Sequence, residues 1–354
     1  MSRNVTFAAI TFGIVVLAIE LQSWIFTTIA TRFGVLHFFS TDLFSRVSDE
    51  ELRRYSPYSE LGWPKNDEPR SAPAPPQGRA GCGSAFGDSM TWGGEVEEDQ
   101  AWVHLLSQRL GCVVANYGVS GYGLDQALLR YERIAPAGNF VVLGLFIEML
   151  RRQMAASWTF YASSEPPFYS NIKPYFTLEG EGLRLHAIPK PLTRESIAFH
   201  HRHDYYMQHV WTPLKFPYTL QMAHAAYVRV ARADEYRLLT DNYWSEAHPS
   251  GSGVMARRLV DRLVRTAQGN DSRVALVLMP HVDRLLTDSP HYRQFADDMR
   301  RRGDVCVIDI HAPLREQARS LGPSALAAPN RHYNALGNVI IADAVAAGLA
   351  QCGR

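Results

Sequence analysis

Five short apolar runs limit what this chain can fold into: GCGSAF (81–86), CVVANY (112–117), FVVLGLF (140–146), VALVLM (274–279) and VCVIDI (305–310). Each is nearly continuous in apolar character rather than alternating, the pattern of a strand covered on both faces. Stretches with helical periodicity lie between or after them, at 99–110, 124–133, 253–267, 292–302 and 340–349. Strands alternating with helices predict an α/β fold with a parallel, doubly wound sheet. The expectation is a flavodoxin-like three-layer α/β/α sandwich with about five parallel strands. Such sheets bind ligands at the carboxyl ends of their strands, so the turns after the apolar runs are where chemistry is sought.

The turn after the first run is Gly87-Asp88-Ser89, followed by Met90-Thr91-Trp92-Gly93. A serine there has its hydroxyl facing the crevice, with backbone N–H groups of the turn free to meet a developing oxyanion. Taken alone, the tripeptide is equally a strand-ending turn with Asp88 or Ser89 as a helix cap. The turn lacks both a glycine-rich phosphate loop and a Walker lysine, which argues against a nucleotide binder on the same sheet.

Outside the runs, the N-terminus sets a second limit. VTFAAITFGIVVLAIELQSWIFTTIA, from Val5 to Ala30, has Glu20 and Gln22 as its only strongly polar interruptions. It is long enough to cross a bilayer, which needs about 20 apolar residues. It exceeds the apolar core of a signal peptide, and no small-x-small cleavage site follows it. We therefore expect one uncleaved N-terminal transmembrane helix over 1–32. Arg3 and Arg32 flank it and do not fix its orientation. A single anchor with a large C-terminal domain suggests an extracytoplasmic domain, periplasmic if the chain is bacterial. Residues 33–80 read as a juxtamembrane segment and linker, the latter holding Pro64, Pro69, Pro73, Pro75 and Pro76. Residues 81–354 read as the catalytic-type domain. The formal net charge of +1 over 354 residues suggests no nucleic-acid partner.

Within that domain the strand–helix rhythm breaks at about 150–250, which reads as an insertion that shapes or covers the crevice. It contains a predicted hairpin around Tyr175–Leu185, a helix over 220–236, and His200, His201, His203 and His209. These histidines read as a polar surface rather than a metal site. Trp158, Tyr161, Tyr169, Tyr175, Tyr205, Tyr206 and Trp211 could either stack on sugars or fill a core. Cys82, Cys112, Cys306 and Cys352 make no metal motif. Cys82 and Cys112 begin predicted strands and could pair, although small buried hydrophobes are the simpler reading.

Three blocks stand in order on the right elements: GDSMTWG after the first strand, NYGVSGYGLDQ after the second, and HYNALGN opening the last helix. Together they resemble the SGNH (GDSL) hydrolase superfamily, over about residues 80–160 and 270–350. The resemblance implies the SGNH hydrolase fold, with Ser89 as nucleophile and His332 as general base. It implies that the N–H groups of Gly121 and Ser89 hold the oxyanion. A serine hydroxyl needs such a base, and imidazole titrates near neutral pH.

Two positions depart from the family pattern. The asparagine expected after the third strand is replaced around Ile147 and Glu148, and Asn116 is the nearby amide that could stand in. The aspartate expected two or three residues before the histidine is replaced by Asn330 or Pro329. Asn330 is then the weaker orienter of His332, with Glu148 and Asp309 as other carboxylates that could be recruited. The resemblance implies an esterase, acyl hydrolase or acyltransferase acting on ester-linked acyl groups, including acetyl groups of a glycan, with no cofactor and no metal. The alternative is a catalytically degraded member that binds a glycan or protein partner.

Overall fold

The computed structural model describes residues 3–32, 38–40, 48, 50, 59–63, 66–72, 81–157, 172–210, 212–231, 242–288 and 290–353. By internal contacts the chain divides into two units. One comprises Met1–Ser56, Ala155–Ile172 and Pro189–Asp241; the other comprises Pro57–Met154, Lys173–Ile188 and Asn242–Arg354.

The second unit is built on a parallel sheet of five strands: β2 (Gly81–Phe86), β3 (Val113–Asn116), β4 (Phe140–Phe146), β8 (Arg273–Met279) and β9 (Val305–Asp309). Their order is β3-β2-β4-β8-β9, and every pairing is parallel. The central strands β4 and β8 have the longest apolar runs, since helices cover both of their faces. After their first residues, β4 and β8 are buried throughout. The edge strand β9 is fully buried only at Val305 and Ile308 and half-buried between and after them. The chain goes from β2 to β3 on one side, then crosses to β4 on the other. That reversal opens a crevice at the carboxyl end of β2. The architecture is the α/β sandwich predicted from the sequence.

The flanking helices follow from amphipathic stripes. In α3 (Trp102–Leu110), Trp102, Val103 and Leu106 are fully buried, and Gly111 closes the helix in the left-handed conformation. In α8 (Ser252–Gly269), Met255, Leu259, Leu263 and their neighbours face the sheet. Helix α9 (Arg293–Arg302) buries Phe295, Ala296 and Met299 beneath a charged outer face. Helix α11 (Ala335–Cys352) runs five residues beyond the predicted start. Asn334 accepts from the Gly337 N–H at 3.1 Å and caps it, so the helix begins ahead of the continuous apolar run that starts at Val339. Helix α3 in turn starts late, at Trp102, whose N–H donates to Asn338 Oδ1 across from α11.

Two disulfides join elements of this unit, Cys82–Cys112 and Cys306–Cys352. The simpler reading of Cys82 and Cys112 as buried hydrophobes is therefore corrected. The parallel pairing of β2 and β3 brings the starts of both strands together, with the cysteine Cα atoms 5.8 Å apart. The predicted hairpin is present as β5 (Tyr175–Glu179) and β6 (Gly182–His186), turning at Gly180.

In the first unit, α1 (Arg3–Arg32) packs against α7 (Tyr218–Ala231). Glu20, Ser23, Thr27 and Ala30, spaced as one helical stripe, are the buried positions of α1. Its other faces expose Phe7, Phe12, Leu17 and many further apolar side chains. Glu20 accepts from the backbone N–H groups of Tyr218 and Thr219, and Ser23 hydrogen-bonds Thr219 at 2.9 Å. Among the described residues two helices are long and apolar enough to cross a membrane, Arg3–Ala30 and Ala335–Cys352. The latter is α11, which packs on α3 and β9 and carries Cys352 of a disulfide.

Candidate active site

Ser89 is the first residue of the short helix α2 (Ser89–Trp92), directly after β2 and at the crevice. Asp88 is its N-cap, with Oδ1 accepting from the Met90 N–H at 3.0 Å. Asp88 Oδ2 accepts from Arg152 Nη1 at 2.9 Å, and the carboxylate is fully buried. Both roles weighed for the tripeptide are thus filled, by different residues: Asp88 caps and Ser89 faces the histidine. Gly87 has φ +155°, and a Cβ there would lie 2.2 Å from Thr91 Oγ1 and 2.8 Å from the Gly144 carbonyl oxygen. Only glycine fits the approach to Ser89.

His332 Nε2 lies 2.8 Å from Ser89 Oγ, across 243 positions of chain. Its backbone is fixed on both sides. The Ala328 N–H donates to the His332 carbonyl at 2.8 Å, and Tyr333 OH donates to the Pro280 carbonyl at 2.7 Å. Arg331, in the left-handed conformation, pairs with Asp283. Ser89 is buried, while the His332 side chain keeps about a quarter of its surface exposed (24%). This is the geometry of a nucleophile and its base, open on one side.

The second block is laced to the first. The N–H of Tyr117 donates to the Ala85 carbonyl at 2.8 Å, and that of Val119 to the Gly87 carbonyl at 3.0 Å. A Cβ on Gly118 would lie 2.6 Å from the Trp92 nitrogen, so the two backbones approach as closely as glycine allows. Gly121 follows, with φ +83°. Neither its N–H nor that of Ser89 donates to a carbonyl among the described residues. Arg152 Nη1, bound to Asp88, also donates to the Tyr122 carbonyl at 3.2 Å. One guanidinium thus joins the turn that carries Ser89 to the turn that carries Gly121.

Several expectations need correction. The Asn116 amide lies inside the fold: Nδ2 donates to the Thr91 carbonyl at 3.0 Å and Oδ1 accepts from the Gly118 N–H at 3.0 Å. Its place is structural, holding α2 against the second block. Glu148 Oε1 accepts from Arg151 at 3.2 Å. Asp309 accepts from Tyr292 OH at 2.8 Å and from the His311 N–H at 3.0 Å. Neither carboxylate is paired with His332. Asn330 does not orient the imidazole directly, because its Nδ2 donates to Glu95 Oε1 at 2.9 Å.

Glu95 is the residue that sequence reasoning missed. Its Oε1 lies 3.8 Å from His332 Nδ1, on the opposite side of the ring from Ser89. Its only signal was an acidic side chain six positions after Ser89, within a run of glutamates. At the rim His281 stacks on Phe146 with ring centroids 5.7 Å apart. Burial pushes the pKa of His281 down, against the opposing pull of Asp283.

Of the aromatic residues considered for sugar stacking, Tyr175, Tyr205 and Tyr206 are buried and belong to packed interiors. Trp158, Tyr161, Tyr169 and Trp211 lie outside the described residues. His200 and His201 are buried on α6 (Arg194–His201). Among the described residues no group of three or more His, Cys, Asp or Glu is placed to hold a metal ion.

No family model matches the chain, and no curated protein matches it. Among solved structures, it is similar to an acetylxylan esterase from Geobacillus stearothermophilus. That match has 17% identity, covers 77% of this chain and 95% of the other, and has a TM-score of 0.40. It is also similar to a member of the lipolytic G-D-S-L family from Veillonella parvula DSM 2008. There the identity is 12%, the coverage 75% and 96%, and the TM-score 0.39. Likeness at this distance carries nothing about activity.

Proposed function

We propose that this chain, whose three sequence blocks resemble those of the SGNH (GDSL) hydrolases, is a membrane-anchored serine enzyme of ester bonds. It works as an acyl hydrolase or acyltransferase through an acyl-enzyme on Ser89. The single observation that carries the reading is the 2.8 Å contact between Ser89 Oγ and His332 Nε2 at the carboxyl end of β2. A serine hydroxyl becomes a competent nucleophile when a base within hydrogen-bond reach takes its proton.

Ser89 Oγ attacks the ester carbonyl carbon as its proton passes to His332 Nε2. The carbonyl oxygen becomes an oxyanion and is met by the N–H groups of Ser89 and Gly121, each such donor contributing about 3 kcal/mol in the transition state. The carbon–oxygen bond to the alcohol breaks, and the leaving oxygen takes the proton from His332. Water, or the hydroxyl of an acceptor, then gives its proton to His332 and attacks the acyl-serine. The second tetrahedral adduct collapses, and Ser89 Oγ recovers the proton.

Helix α1, with its exposed apolar faces, supports membrane attachment. The two disulfides support an oxidising compartment for the domain, hence an extracytoplasmic one. Acetyl esters, including acetylated glycans, are the substrates we favour. The test uses the full chain in detergent, treated with a fluorophosphonate and screened on acyl esters. Ser89 is expected to be the labelled residue, with labelling and turnover absent in S89A and H332A. A folded wild type that is neither labelled nor active overturns the reading.

A further inference from the structure

His332 has a ring nitrogen on each side of the catalytic question, and only one is answered by Ser89. Nδ1 is buried and has no hydrogen-bond partner among the described residues. The carboxylate of Glu95 faces it at 3.8 Å. We propose that Glu95 is the acid of a Ser89–His332–Glu95 relay, supplied by the nucleophile's own loop rather than by the segment preceding the histidine. This rests on the serine-enzyme reading above and names the positioning residue of that site.

The loop is built to deliver Glu95. Helix α2 ends at Gly93, left-handed at φ +79°, whose N–H donates to the Ser89 carbonyl at 2.9 Å. This reversal lets a residue six positions after the nucleophile return to the far side of the imidazole. The turn is pinned from outside by Arg70, which donates to the carbonyls of Trp92, Gly93 and Val96 and lies 4.5 Å over the Trp92 ring. Glu95 stands between two of those carbonyls in sequence. Asn330, at the position where an aspartate was expected, holds Glu95 Oε1 at 2.9 Å. The amide serves the carboxylate that has replaced it. The neighbouring cation Arg331 is neutralised by Asp283.

The chemistry follows from the charge. Nε2 accepts the Ser89 proton only if the resting ring carries its proton on Nδ1, and an anion beside Nδ1 selects that tautomer. When Nε2 gains the serine proton, the ring becomes imidazolium, and Glu95 stabilises it while remaining a carboxylate. A contact of 3.8 Å is an ion-pair distance rather than a hydrogen bond, and catalytic contacts of this kind tighten as charge develops.

The test takes the full chain in detergent as wild type, E95Q, E95D, and E95A with and without N330D. Kinetics on an activated acetyl ester are paired with 15N NMR of the histidine rings, with His332 assigned by comparison with H332A. E95Q is expected to lower kcat about 10²–10³-fold with KM nearly unchanged, below the roughly 10⁴-fold seen for a hydrogen-bonded triad acid. His332 changes from one tautomer to a mixture in E95Q. E95D recovers much of the rate, and N330D restores E95A by at least about tenfold by putting a carboxylate near the same nitrogen. Wild-type kcat and an unchanged His332 tautomer in E95Q overturn the proposal. If the wild type neither turns over nor labels, the serine-enzyme reading fails, and the tautomer comparison still decides whether Glu95 orients His332.

Discussion

The pair formed by Asp88 and Arg152 allows a sharp test of how the site is held. Asp88 is fully buried, and the Arg152 side chain is 11% exposed. Replacing Arg152 with methionine leaves a carboxylate in the interior with its cap bond but no countercharge. Removing one partner of a buried pair costs about 3–5 kcal/mol. At about 2–4 °C per kcal/mol for a domain of this size, R152M is expected to lower Tm by roughly 10 °C. D88N keeps an oxygen for the Met90 N–H and takes one anionic partner from a cation that still touches solvent and keeps the Tyr122 carbonyl, so its loss falls at or below the low end of that range. The double variant D88N/R152M has no stranded charge. Its loss is expected to be about 2 kcal/mol smaller than the sum of the two. Activity adds a second readout, because Arg152 ties the Ser89 turn to the Tyr122 carbonyl beside Gly121. Each single change is expected to lower kcat about 10²-fold, since two oxyanion donors lose their relative position. Thermal unfolding of the full chain by near-UV circular dichroism, with ester kinetics alongside, measures both. Additive losses within about 0.5 kcal/mol would refute the pairing as the fastening of this site.

Other consequences are shorter to state. G87A places a methyl group against Thr91 and the Gly144 carbonyl; it is expected to cost about 1–3 kcal/mol and most of the turnover, measured as Tm and kcat. Replacing Cys306 and Cys352 with serine opens a link of 46 positions, for an expected loss of about 4 kcal/mol in the chain-entropy treatment; a Tm insensitive to both the substitution and reductant would count against the bond. Burial, assisted by His200, pushes the pKa of His201 down to about 3 from 6.5. The unfolded chain therefore binds a proton there that the folded chain refuses. Stability from this group is complete above about pH 6.5 and is lost as pH falls towards 3. Protease susceptibility of helix α6 should rise over that window, and H201L should flatten the rise.

Much of this architecture was legible because a covered strand needs an unbroken apolar run. The five runs marked the five strands, and their alternation with amphipathic helices gave the order of the layers. Ser89 and His332 were legible for a related reason: each lies in a block whose glycines and asparagines serve the local backbone. Glu95 was not. Its contact with His332 depends on a left-handed Gly93 and on Arg70 holding three carbonyls, neither of which has a periodic signature. Asn330 misled because its position suggested a direct contact with the ring, whereas its amide reaches the carboxylate behind it. The cysteine pairing likewise required the register of β2 against β3, which a single strand does not encode.

The stripe on α1 makes the helix more than a length of apolar residues. A borrowed helix of equal length and hydropathy would match it in composition. It would not answer the N–H groups of Tyr218 and Thr219, which Glu20 meets from 198 positions away in the chain, nor would it replace Ser23 against Thr219. Helix α1 and helix α7 are therefore a matched set, and a chimera that exchanges one without the other keeps an apolar helix but loses the contacts that seat it.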